Sequence, residues 1–312
     1  MKYSIIIPVY NSEKTIGILI EQIVKFFSNS FDEYEIICVN DCSTDDTWKT
    51  IENKVIKYSD KILAIDLIKN YGQHIAVYCG LKNSTGEYII TMDDDLQNPV
   101  DEIEKLIKKS KEGYDLVIGQ FAQKKHNLIR RLGSRIVRYI SGKIFEIPKN
   151  LYLTNFRIIK RVVINRILKL KIENPYLPGL FVYYSSSTAN TTVKHNERVI
   201  GSSNYNFLKI LKLVSELLFN HSTFPLRIFM FFGFFVSVIS FSFGFYFLIK
   251  TVIFGSQVPG WTSIFVLISF LGSLILITIS MIGEYLIRVN KNLSSENRYF
   301  IKCTNIYTLM LT

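Results

Sequence analysis

The chain has 312 residues, 37 Lys and Arg against 26 Asp and Glu, and a formal net charge of +11. Its mean hydropathy is +0.21 and its aromatic content 14%, which excludes a disordered chain. Only 16 Gly, 7 Pro and 4 Cys exclude a collagen-like or disulfide-stapled protein.

The first 120 residues alternate strand-like and helix-like runs. Strands are predicted at Tyr3–Ile7, Tyr34–Val39, Ile62–Leu67, Glu87–Met92 and Tyr114–Ile118, with helices near 14–28, 44–58, 72–84 and 99–111. Ser43-Thr44-Asp45-Asp46 reads as a helix start with acids in its first turn, and Pro99 suits a first-turn position. Such alternation predicts an α/β domain with a mainly parallel, Rossmann-like sheet and right-handed crossovers. Ligands of such sheets bind beyond the C-terminal ends of the strands.

That rule turns strand ends into candidate site residues. The first strand ends in Pro8-Val9-Tyr10-Asn11 and the second in Asn40-Asp41-Cys42-Ser43. The third is followed by Lys69-Asn70-Tyr71-Gly72, and the fourth by Asp93-Asp94-Asp95-Leu96-Gln97. Three consecutive aspartates after an apolar strand are costly to bury unpaired. A divalent cation offsets that cost, and Mg²⁺ or Mn²⁺ prefers oxygen ligands. Alternation puts Asp93 and Asp95 on one side and Asp94 on the other, and Gln97 offers a further carbonyl oxygen. The solvated acidic loop is the plainer alternative.

Further along, residues 126–138 are basic and amphipathic. Arg131, Arg135 and Arg138 lie three to four apart on one helical face, and arginine suits phosphate through its forked donors. A solvated basic face is the competing reading. His74, His126, His195 and His221 are not clustered at metal-ligand spacing, and the four cysteines read as free thiols.

The C-terminal third changes character. Residues 206–220 carry a broad apolar stripe with Lys209, Lys212 and Glu216 off it, as in a helix lying in a membrane interface. Residues 228–249 and 251–283 are free of charge apart from the single Lys250 between them, and Gly255–Gly260 interrupts the second run. About 20 apolar helical residues span a bilayer core. Two spans are therefore predicted, about 226–250 and 261–284. Lys209, Lys212 and Arg227 flank the first, and Arg288, Lys291, Arg298 and Lys302 follow the second, so both ends are predicted cytoplasmic. Tyr3–Val9 is too short for a signal peptide. Residues 224–312 hold six basic and two acidic side chains, so most of the +11 belongs to the domain before them. A basic domain beside an anionic leaflet fits an anchored enzyme. Nucleic acid is not an expected partner, since no dense basic run or recognisable module is present. The segments are thus a catalytic domain at 1–205, an interfacial helix at 206–224, a two-span hairpin at 225–287 and a cytoplasmic tail at 288–312. Gly233, Gly244 and Gly272 offer close-packing positions for a homo-oligomer.

The runs Ser4–Asn11, Val39–Asp45 and Asp93–Pro99 resemble the successive motifs of family-2 glycosyltransferases with the GT-A fold. The likeness covers roughly residues 3–205. Gly201–Tyr205, Ser222–Arg227 and Ile282–Tyr285 resemble its polyprenyl-phosphate branch, which contains bactoprenol glucosyltransferases and is similar to dolichyl-phosphate mannose synthase. The resemblance implies that Pro8, Tyr10 and Asn11 line a nucleobase pocket and that Asp41 holds nucleobase or ribose. It implies that Asp93 and Asp94 contact ribose, diphosphate or sugar, that Asp95 with Gln97 is the metal-binding end of the motif, and that Arg198 lies close to the diphosphate. The basic segment at 126–138 would then lie near the acceptor phosphate.

Three departures stand out. Cys42 replaces a usual Gly, so no strongly left-handed turn is expected there, and Asn204 replaces a common Lys. Asn155, in Thr154-Asn155-Phe156-Arg157, stands where many relatives have Asp as catalytic base or acceptor-orienting group. Asn takes no proton at neutral pH. A phosphate monoester has a second pKa near 6 and needs no base at about pH 7, so Asn155 favours an anionic acceptor that its amide could orient. The expectation is a metal-dependent, inverting transfer from a nucleotide-sugar, UDP-linked for preference, to undecaprenyl phosphate at the cytoplasmic face of a bacterial inner membrane. The rivals are a transferase with a hydroxyl acceptor on a lipid-linked polysaccharide, and a silent nucleotide-binding membrane partner.

Overall fold

The computed structural model describes residues 1–28, 32–121, 137–170, 175–196, 260–294 and 299–304, with individual helical positions between 214 and 253. The chain divides into two compact units, Met1–Ile210 with Ser295–Thr312, and Leu211–Ser294.

The first unit is built on a mixed eight-stranded sheet. Its strands are β1 (Lys2–Val9), β2 (Glu33–Asn40), β3 (Ile62–Leu67), β4 (Tyr88–Thr91), β5 (Leu116–Phe121), β6 (Arg157–Lys160), β7 (Thr188–Val193) and β8 (Ile301–Thr304). The order across the sheet is β7-β5-β6-β4-β1-β2-β3-β8. β1 pairs parallel with β2 and β4, and β2 with β3. β6 runs antiparallel to both β4 and β5, and β8 antiparallel to β3. The first five strands and their alternation were legible from hydropathy; the antiparallel insertions were not.

β1 and β2 are buried along almost their whole length, as expected of strands covered on both faces. Four helices follow in order: α1 (Ile16–Ser28), α2 (Thr47–Lys57), α3 (Gln73–Asn83) and α4 (Ile103–Ser110). Ile16, Leu19, Ile20, Ile23 and Phe27 of α1 recur at helical spacing and enter the core beside Tyr3, Ile5 and Ile7. The Asp45 carboxylate accepts the Thr47 amide at 3.1 Å at the start of α2. α3 sits so close to β1 that a Cβ on Gly80 would lie 2.5 Å from the Ile6 side chain. This close approach packs the second half of α3 against the middle of β1. Further helices are α5 (described at 137–144), α6 (Arg161–Leu168) and α7 (Leu177–Tyr183).

The chain runs outward from β1 to β2 and β3, then returns to β4 on the other side of β1. Strand order therefore reverses between β1 and β4, and a crevice opens beyond their C-terminal ends.

In the second unit, α8 (Trp261–Ser294) is a 34-residue helix, about 51 Å long at 1.5 Å per residue. Its sequence carries no charge from Trp261 to Gly283. Ile264, Ile268, Phe270, Ile275, Ile277 and Ile279 are exposed on it. Counting only the described residues, no helix is long and apolar enough to cross a membrane. The first expected span lies mostly outside those residues, and the side chains of α8 are described only in part. The interfacial helix expected at 206–224 also falls outside them, except for helical residues 214 and 215. The tail expected at 288–312 begins as the end of α8, and residues 301–304 join the first unit as β8.

Candidate active site

The three aspartates following β4 meet the β1 loop at the crevice. Asp94 accepts the Tyr10 amide at 3.2 Å and the Ser12 hydroxyl. Its carboxyl sits above the usual range because of burial, against which these two donors act. Asp93 turns toward β6 and α3. It accepts the Asn155 amide at 3.2 and 3.3 Å and the Gln73 side chain. Burial, then the neighbouring Asp95 charge, pushes the Asp93 carboxyl up to about 6. Asp95 accepts the Gln97 backbone N–H at 3.1 Å. Gln97 is braced in turn by Asn196, whose N–H donates to the Gln97 carbonyl at 2.9 Å.

Behind Asp93 stands a guanidinium the sequence reading did not single out. Arg157 is 3% exposed. Its Nη2 donates to Asn155 Oδ1 at 3.0 Å and its Nε to Thr91 Oγ1 at 3.1 Å, while its Cζ lies 4.9 Å from the Phe181 ring centre. Burial lowers its pKa to about 10, against the pull of Asp93. Its Nη1 is buried with no hydrogen-bond partner among the described residues. Asn155 therefore links an anion to a cation, donating to Asp93 and accepting from Arg157. An alternation signal was available: Asn155 and Arg157 are two apart at a strand start and share a face, and a charge inside Phe156-Arg157-Ile158-Ile159 demands a partner. Pro8, Gln73, His74, Asp93, Asn155 and Arg157 line one narrow cavity. His74 is held neutral, its pKa lowered to about 4 by burial and then by Arg157.

The β1–β2–β3 side is organised differently. Asp41 is 4% exposed and accepts the Tyr71 and Gly72 amides at 2.7 and 2.8 Å. Burial raises its carboxyl and the two amides oppose that rise. Gly72 has φ 89°, which lets the chain turn into α3 with both amides aimed at Asp41. Asn11 accepts the Thr44 amide at 2.9 Å through its side chain, and its own N–H donates to the Ser43 hydroxyl at 2.9 Å. Tyr10 and Asn11 line an open cleft of about 360 Å³ with Ser12, Glu13, Lys14, Asp45, Asp94 and Asp95, within the size range of small-ligand sites.

Cys42 corrects one expectation. Its φ is 56°, in the left-handed region, with Sγ 3.7 Å from the Ile68 carbonyl oxygen. The turn is kept without glycine, at a cost of about 1–2 kcal/mol. Asn11 (φ 51°) and Leu96 (φ 58°) are likewise left-handed, so three such residues sit in the site loops.

The arginines expected at the acceptor side are only partly described. Arg138 is exposed on α5, its guanidinium 4.8 Å from the Tyr152 ring centre. Arg131, Arg135 and Arg198 lie outside the described residues.

Whether the site fits a divalent cation follows from its donor set. Asp93, Asp94 and Asp95 supply hard oxygen ligands, and like charge between Asp93 and Asp95 is one cause of the raised Asp93 carboxyl. Among the described residues no group of three or more His, Cys, Asp or Glu side chains could hold a metal by itself. Carboxylate oxygens of this kind are the donors Mg²⁺ or Mn²⁺ takes one or two at a time, with the rest of its shell from substrate phosphates and water.

Residues 4–168 match the family model described as Glycosyl transferase family 2. The chain is 32% identical over 303 residues to a bactoprenol glucosyl transferase of Shigella phage SfX, covering 97% of this chain and 99% of that one. It is 31% identical to the undecaprenyl-phosphate 4-deoxy-4-formamido-L-arabinose transferase of Proteus mirabilis, covering 96% and 93%. Among solved structures, glucosyl-3-phosphoglycerate synthase from Mycobacterium tuberculosis, crystallised with Mn²⁺, UDP-glucose and phosphoglyceric acid, aligns with a TM-score of 0.50 at 15% identity, covering 70% of this chain and 78% of that one. At that identity the likeness bears on the fold alone.

Proposed function

The chain belongs to glycosyl transferase family 2 and is a glycosyltransferase, and from that premise we propose that it moves a sugar from a UDP-sugar to undecaprenyl phosphate at the cytoplasmic face of a bacterial inner membrane. The observation that carries this reading is the aspartate cluster at the switch point, with Asp94 tied to the β1 loop and Asp93 to β6. Two relatives carry bactoprenol or undecaprenyl phosphate in their names, and they match almost end to end. That supports a lipid phosphate acceptor here.

In this reading the cleft beside Tyr10 and Asn11 takes the nucleoside, and Asp41 keeps the surrounding loops in place through the Tyr71 and Gly72 amides. A divalent cation, Mg²⁺ or Mn²⁺, bound through Asp95 with Asp93 and Gln97, would offset the charge that develops on the departing diphosphate. Asn155 holds Asp93 at the sugar end and itself takes no proton, which suits an acceptor that arrives already ionised. Arg131, Arg135, Arg138 and Arg198 are proposed as phosphate partners, the first three toward the lipid and the last toward the diphosphate. The acceptor attacks opposite the leaving group with inversion, so positioning two anions is the main task.

The uncharged run of α8 and its exposed isoleucines support a membrane location, since a helix apolar on all sides is found in a core or a bilayer. We assign residues 225–287 to a two-span hairpin, preceded by an interfacial helix at 206–224. Titration calorimetry with UDP and Mn²⁺, followed by a donor hydrolysis assay, separates this enzyme from a silent binder. Binding with turnover supports the proposal, and binding without turnover under every donor overturns it.

A further inference from the structure

β8 is four residues long and comes after α8, where the chain re-enters the first unit. It is not held by apolar burial: Phe300 and Ile301 are 55% and 40% exposed. What holds it is polar and points toward the site loops. The Phe300 N–H donates to the Tyr71 hydroxyl at 3.2 Å, and the Phe300 carbonyl accepts the Ile68 N–H at 3.2 Å. The pairing register slips between Asp66 and Leu67, which face Cys303 and Ile301, so Lys302 is the extra residue of a bulge. Bulges re-aim side chains. Lys302 Nζ reaches Asp66 Oδ2 at 3.2 Å, and Asp66 is 3% exposed.

From Asp66 the contacts continue into the nucleotide loops. Asn40 Nδ2 donates to Asp66 Oδ1 at 2.6 Å. The Ser43 hydroxyl donates to Asn40 Oδ1 and accepts the Asn11 N–H at 2.9 Å. Tyr71, whose hydroxyl receives β8, also gives its N–H to Asp41. The ends of β1, β2 and β3 are thereby joined to one another and to β8.

We infer that the C-terminal strand is a working part of the donor pocket, with Lys302 a positioning residue that sets the Asn11, Ser43 and Tyr71 loops for a nucleoside diphosphate. The inference rests on the proposed reading of the donor. Among the described residues Lys302 is the cation at the second oxygen of the buried Asp66 carboxylate, and when it is removed that charge relaxes by drawing its neighbours or water toward it. A strand that only covered the exposed edge of β3 would have no such reach.

The test uses the full chain in detergent, with UDP plus Mn²⁺ as the probe. Lys302→Met is expected to weaken UDP binding about two- to fivefold, to raise the KM for donor while kcat at saturating donor holds, and to speed amide exchange at Ser43, Tyr71 and Gly72. Lys302→Arg keeps the charge and is expected to restore affinity and exchange protection. Unchanged UDP affinity in Lys302→Met, or a loss that Lys302→Arg does not recover, overturns the inference and leaves the donor reading standing. Wild-type protein that binds no UDP overturns both.

Discussion

The two sides of the switch point compensate their carboxylates to different degrees. On the β1–β2–β3 side the acids are answered by the fold itself: Asp41 by two backbone amides, Asp45 by Thr47, Asp66 by Asn40 and Lys302. On the β4–β6 side burial and the Asp95 charge push Asp93 up to about 6, a larger rise than burial gives Asp41 or Asp94, and among the described residues the buried Arg157 Nη1 has no hydrogen-bond partner. One side is complete before any ligand arrives. The other holds charge that a cation and a diphosphate would balance. The difference teaches where the chemistry resides: a finished network shapes a pocket, and an unfinished one does work when its missing charge arrives.

The largest expected effect breaks the unfinished side. Asp95→Asn should lower kcat by about 10²–10³-fold and flatten the dependence on Mg²⁺ or Mn²⁺, while the melting temperature stays level or rises, because a source of repulsion on Asp93 is gone. A variant with full metal-dependent turnover would refute the assignment of Asp95.

Asn155→Asp comes next. It replaces a donor to Asp93 with a second carboxylate, so two hydrogen bonds become a repulsion. Transfer to lipid phosphate should drop about tenfold and stability by about 1–2 kcal/mol, read by steady-state kinetics and denaturant melts. If the variant instead kept or raised transfer to lipid phosphate, the argument that this asparagine suits an ionised acceptor would fail.

On the finished side, Asp41→Asn should cost about 1–3 kcal/mol, since one of the two amides at 71 and 72 loses its acceptor. Here UDP affinity should suffer more than kcat. Equal losses in both would erase the distinction between the two sides.

The smallest effect is a pH slope. His74 is lowered to about 4 in the fold, against about 6.5 in an unfolded chain. The unfolded state binds the extra proton in that window, so stability rises with pH from about 4 to about 6.5 and is lost as pH falls back through it. For a partly exposed imidazole the span is on the order of 1 kcal/mol. Melting curves of His74→Gln should lose this part of the slope; an unaltered slope would place its origin elsewhere.

Much of the first unit was legible because strands buried on both faces announce themselves as apolar runs, and the switch-point rule converts their ends into a site. Asp93–Asp95, Tyr10, Asn11 and Asp41 were all reached that way. The partners were harder. Asn155 was read as a departure from a pattern, but its pairing with Asp93 and Arg157 depends on the β4–β6 register, which no local periodicity encodes. β8 is a four-residue Ile-Lys-Cys-Thr segment, too short for an alternation signal, and only a tertiary contact with β3 makes it a strand. Cys42 shows the limit of propensity: its left-handed turn is imposed by loops fixed on either side, so the absence of glycine did not forbid it.

The central claim is transfer of sugar to a lipid phosphate, and one incubation tests it directly. Purified full-length protein is mixed with undecaprenyl phosphate, Mg²⁺ or Mn²⁺ and a panel of UDP-sugars, and the lipid products are weighed by mass spectrometry. The account predicts a glycosyl phospholipid from at least one donor, abolished in Asp95→Asn. No transfer to lipid phosphate from any donor, alongside transfer to a hydroxyl of a lipid-linked glycan, would contradict it.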